Sequence, residues 1–126
     1  MKTMTCTVLL AGAMAVGAAQ PAFSHHSHAM FDHSKFETIT GTVIDFAYVN
    51  PHGSLDVAVE ANKGGKAEMV KYWFEMSNLS NMVQRGIKKT SFKPGDKVTV
   101  TYHPLKDGRH GGSYTTIVAA DGHKFE

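Results

Sequence analysis

The sequence predicts an all-β fold: a small five-stranded OB-like barrel with one short helix between strands three and four. Three observations lead there. Segments rich in Val, Ile, Thr, Tyr and Phe recur at short intervals between turns that carry Gly, Pro and Asn. The first segment changes its apolar face midway, as a bent strand serving two sides of a closed sheet must. The order strand, strand, strand, helix, strand, strand is that of a five-stranded Greek-key barrel. A different small barrel or a β-sandwich stays open, because short strands in this number do not define one topology.

Each element has its own signal. In Glu37 to Tyr48 (ETITGTVIDFAY), Ile39, Gly41 and Val43 share one face, and Ile44, Phe46 and Tyr48 the other. The parity switch at Val43-Ile44 predicts a bulge or sharp bend. Val49-Asn50-Pro51-His52-Gly53 is a turn, followed by Ser54 to Ala61 with Leu55, Val57, Val59 and Ala61 on one face. Asn62-Lys63-Gly64-Gly65-Lys66 is a hairpin loop. In the third strand, Glu68 to Met76, Val70, Tyr72, Phe74 and Met76 oppose Met69, Lys71, Trp73 and Glu75. Ser77 or Asn78 caps a helix whose apolar side is Leu79, Met82, Val83 and Ile87, and Gly86 suits its end. Lys93-Pro94-Gly95-Asp96 turns into strand four, Lys97 to His103; a Gly-rich loop follows, then strand five, Ser113 to Ala120. Asp121-Gly122 makes a last turn before His123-Lys124-Phe125.

The barrel occupies residues 37–126. Ahead of it, residues 25–36 (HHSHAMFDHSKF) form a His-rich arm without a clear period. Residues 1–24 read as a signal peptide: Lys2, then an uncharged run from Val8 to Ala19, then small residues at Ala22 and Ser24 before a cut at His25. The run is shorter than the roughly 20 residues of a membrane span, so no span is expected once the leader is removed. An uncleaved anchor or a buried N-terminal helix is the plainer alternative. The expected location is the periplasm. Removing 24 of the 126 residues leaves 102, enough for one core and too few for two. Cys6, the only cysteine, goes with the leader, so neither a disulfide nor a thiolate site is available.

Without Lys2, 12 basic residues face 11 acidic ones. That balance argues against nucleic acid as a partner, which would select a clustered basic surplus; Lys88, Lys89 and Lys93 read as a solvated turn. No Gly-x-Ser-x-Gly elbow, Walker loop, His-Glu-x-x-His motif, cysteine nucleophile or placed carboxylate pair is present, so a non-enzymatic protein is expected.

His25-His26-Ser27 with Met30-Phe31-Asp32, then Gly41-Thr42-Val43, Asn50-Pro51-His52, Trp73 with Glu75, Lys93-Pro94-Gly95-Asp96, Asp107-Gly108 and Asp121-Gly122 span the mature chain. On these residues it resembles a group of small exported bacterial proteins classed only as a domain of unknown function. His28 stands where such proteins often carry a bulky residue, which adds a candidate ligand. A looser likeness, of fold and residue type alone, is to the periplasmic copper chaperone of the Cus efflux system. The Met-x-Met spacing of that protein is missing here.

The histidines point to metal. A cut before His25 would join its α-amine and imidazole in one chelate, with His26 and His28 within reach. Cuts one or two residues earlier place a histidine third in the chain and keep a chelate. Nitrogen-rich sets of this kind suit Cu(II), which leads the divalent affinity order. His52 completes the set if the arm folds back. The plainer readings are a floppy arm that binds metal without purpose, and Asn50 and His52 satisfying backbone groups of their turn. Met69 and Met76 are soft-ligand types, but core filling is their commoner role. His103, His110 and His123 read as surface residues. The metal set expected is thus His25, His26, His28 and His52, with copper as the cofactor. The alternative is a binding module for a peptide, saccharide or protein partner.

Overall fold

The structure, a computed structural model, describes residues 26–126. Its elements are α1 (His26–Ala29), β1 (Glu37–Ala47), β2 (Ser54–Lys63), β3 (Lys66–Glu75), α2 (Leu79–Gln84), β4 (Lys97–Pro104), β5 (Gly111–Ala119) and β6 (Lys124–Phe125). The strands lie in the order β3-β2-β1-β4-β5-β6, antiparallel at each of these steps. A parallel pairing of β3 with β5, Trp73–Glu75 against Gly111–Ser113, closes the sheet into a ring. The all-β expectation holds, with five long strands and a helix between the third and fourth.

The parity switch in β1 is a bulge. Val43 pairs with Val57 and Asp45 with Asp56, so Ile44 is the extra residue and lies exposed. Val43 ahead of it is buried, and Phe46 and Tyr48 beyond it pack against the same core. One strand thereby keeps apolar residues inward on both sides of a bend. The other edge of the bulge is clamped by the Lys93–Asp96 turn: the Val43 N–H donates to the Asp96 carbonyl (2.8 Å) and the Gly95 N–H to the Val43 carbonyl (2.9 Å).

The ring encloses Leu55, Val57, Phe74, Met76, Val98, Val100, Tyr102 and Ile117, all at most 2% exposed. Burying each such side chain contributes roughly 1.5–3 kcal/mol. Helix α2 closes one end with Met82, also fully buried. Asn78 caps it, its Oδ1 accepting the Asn81 N–H at 2.9 Å. It stops at Gly86 (φ +76°), where the Ile87 N–H donates to the Met82 carbonyl and the Gly86 N–H to the Val83 carbonyl. That pair of bonds is a Schellman ending, and it sends Ile87 into the core.

Three expectations are corrected. Val83, assigned to the inner side of the helix, is 63% exposed; it stands about 100° round the axis from Met82, and a six-residue helix buries only a narrow stripe. Met69 lies on the outer face and is exposed, so of the two methionines only Met76 fills the core. The residues after Asp121-Gly122, for which no element was expected, form β6. Lys124–Phe125 pairs with Ile117–Val118, along the stretch of β5 edge that β3 leaves open, and Phe125 packs on Phe92 at 5.2 Å.

Closure depends on two glycines. A Cβ on Gly111 would fall 1.8 Å from the Trp73 carbonyl oxygen, and one on Gly112 1.9 Å from that of His103. Gly111→Ala should therefore cost at least about 3 kcal/mol, read as a lowered urea midpoint. Gly108, with φ +81° but open space around it, serves as the control; Gly108→Ala should cost only about 1–2 kcal/mol. Equal losses would mean that backbone conformation, not close approach, is what both glycines supply.

Candidate functional site

The arm docks on the ring. Phe31 is 2% exposed and bridges to Leu105. The Asp32 N–H donates to the Pro104 carbonyl (2.8 Å) and the Lys106 N–H to the Met30 carbonyl (2.9 Å). A local turn stiffens the segment. The Ser34 hydroxyl donates to Asp32 Oδ1 at 2.6 Å, Lys35 Nζ lies 3.2 Å from Oδ2, and the Ser34 N–H adds a third contact. The Ser34 hydroxyl first, then Lys35, hold the Asp32 carboxyl down from its ordinary value of 3.8 to about 2.

Docking lines up imidazoles. His33 lies between His28, at 6.0 Å between ring centres, and His103, at 4.8 Å; Phe36 covers the far side of His103 at 4.4 Å. His103, expected at the surface, is half-buried there. Its Nδ1 lies 2.7 Å from the Lys35 carbonyl. A carbonyl only accepts, so Nδ1 carries the proton. His110 lies against Tyr72 and His123 against Phe125, both apart from this row.

Beyond the row, His28 lines an open cleft of about 340 Å³ together with His52 and Glu75. Met76 and Ser77 line it too; α2 and its caps contribute Asn78, Asn81 and Arg85, and β5 contributes Ser113 and Tyr114. The turn that carries His52 is fastened to the end of β3 and the start of α2. The Gly53 N–H donates to the Ser77 carbonyl (3.2 Å), the Met76 N–H to the Gly53 carbonyl (2.9 Å), and the Leu79 N–H to Asn50 Oδ1 (3.0 Å). Asn50 thus satisfies a backbone group, but at the start of α2 and not within its own turn. His52 takes another part: its Nδ1 faces Glu75 Oε1 at 3.6 Å, an ion-pair distance beyond hydrogen-bond length.

Of the four histidines expected to act together, the structure brings His28 and His52 to one cleft. His25 and the side chain of His26 lie outside the described residues. Among the described residues, no three His, Cys, Asp or Glu side chains converge closely enough to hold a metal ion, and no helix is long and apolar enough to cross a membrane. Glu75, Arg85 and Tyr114 as cleft residues escaped the sequence reading. Glu75 had a weak signal, its place beside Trp73 on the outer face of β3; Arg85 had only its place at a helix end.

The chain belongs to the family of unknown function DUF6152, whose model matches residues 13–114. The matched span takes in residues 13–24, the arm, and the ring through Tyr114, the last cleft residue. No curated protein matches the chain.

The Asp32 turn makes docking sensitive to acid. A carboxyl held below its ordinary value stabilises the docked arm above about pH 4, and the contribution is lost as pH falls toward 2. In a nuclear magnetic resonance titration, the Asp32 and Lys106 amide signals should move together over that window. In the Asp32→Asn variant the Lys106 signal should already be displaced at pH 7. Coincident wild-type and variant spectra at pH 7 would mean that Phe31 alone holds the arm.

Proposed function

We propose that this is an exported protein that binds copper(II) through the imidazoles of its arm, with His52 as the ligand supplied by the ring. One observation carries the reading: His28, from the arm, and His52, from a clamped turn, line the same cleft.

Chemistry supports it in three ways. Glu75 stands on the Nδ1 side of His52, which leaves Nε2 as the ligand atom. A carboxylate behind a ligating imidazole orients the ring and raises its basicity. His25 and His26 precede His28 by only three and two residues in the chain. A cut before His25 would add an α-amine, making a nitrogen-rich set of the kind that favours Cu(II). Export rests on the leader pattern of residues 1–24.

A Cu(II) titration followed by electron paramagnetic resonance tests this, on natively exported protein with its N-terminus verified by mass spectrometry. One tight, nitrogen-rich, one-to-one species is expected. An extra Met before His25 should abolish it, and His52→Ala should weaken it at least about tenfold. Protons compete for imidazole nitrogen, so affinity should fall as pH drops below about 6. Weak, heterogeneous binding that is equal in all three samples, or binding constant down to about pH 5, would overturn the reading.

A further inference from the structure

The far wall of the cleft has chemistry that metal binding does not use. Arg85, the C-cap of α2, pairs with no carboxylate among the described residues, and residues 1–25 contain neither Asp nor Glu. Its guanidinium is nonetheless held in place. Nη1 donates to the Tyr114 hydroxyl at 3.1 Å, and Cζ stands 5.6 Å from the centre of the Tyr114 ring. Tyr114 is itself 6% exposed and fixed within β5, so the cation rests on a rigid base.

That hydrogen bond defines what the wall offers. The Tyr114 oxygen accepts from Arg85, so its own hydrogen is left to donate elsewhere. Asn78 spends its carbonyl oxygen on the helix cap, which leaves its amide NH2 as a donor. The remaining guanidinium N–H groups complete a wall of donors with one positive charge. Such a wall selects an oxyanion, and the planar fork of arginine matches a carboxylate. Glu75, which lines the same cleft, sets the charge: a dianion would meet one cation and one anion, whereas a single negative charge is compensated by Arg85. At about 340 Å³ the cleft is at the small end of ligand pockets.

We propose that the Arg85–Tyr114 wall is a binding site for the carboxylate of a small, singly charged ligand. The site is independent of copper, so metal-free protein separates the two readings.

The test is an acetate titration of chelator-treated protein, followed by the amide signal of Arg85 and the side-chain NH2 signals of Asn78 and Asn81, at constant ionic strength. Saturable shifts in the millimolar range are expected. Arg85→Gln should weaken binding at least about tenfold, Arg85→Lys less, and Tyr114→Phe about threefold or more. Inorganic phosphate, a dianion at about pH 8, should bind more weakly than acetate. Shifts that stay linear, that persist unchanged in Arg85→Gln, or that saturate first with phosphate would overturn the proposal.

Discussion

The close approach of Gly111 and Gly112 to the carbonyls of Trp73 and His103 is the contact on which the rest depends. It lets β5 sit between β3 and β4, and that one placement does two things. In the closing register Glu75 faces Ser113, which puts the end of β3 beside β5 and brings residues of both strands to the cleft. On the other side the Leu105 N–H donates to the Gly111 carbonyl, which sets Leu105 where Phe31 bridges to it. Cleft and docked arm are thus consequences of a single closure.

The arm is held by one buried aromatic ring, two main-chain bonds to the β4 end and the loop after it, the His103 Nδ1 bond to the Lys35 carbonyl with the His33 and Phe36 rings against that imidazole, and a local Asp32 turn. A segment of that kind opens at much lower free energy than the core. Its imidazoles are therefore presented by a fastening that can yield, while His52 is fixed by bonds to both β3 and α2. The arm and the cleft both lie within the family's matched span.

Two pairs of cleft residues differ in charge chemistry. His52 and Glu75 form an imidazole–carboxylate pair suited to orienting a metal ligand. Arg85 and Tyr114 form a fixed donor wall suited to an oxyanion.

Much was legible in local pattern. The alternation of Leu55, Val57 and Val59, the parity switch at Val43-Ile44, the Asn78 cap and Gly86 each announce a structure that neighbouring residues build among themselves. β6 escaped, because two residues have no period to read. Val83 misled, because helical spacing does not say how wide a face the rest of the chain will cover. The order of residues alone also gathered His25, His26 and His28 ahead of the first strand. Only the tertiary structure decided that Phe31 anchors the arm on Leu105, that His28 and His52 line one cleft, and that Arg85 finds Tyr114. Those pairs lie 24 to 74 residues apart in the chain. Sequence periodicity reports which way a side chain faces within its own element. Which elements then meet depends on where the sheet closes, and here that is set by two missing β-carbons.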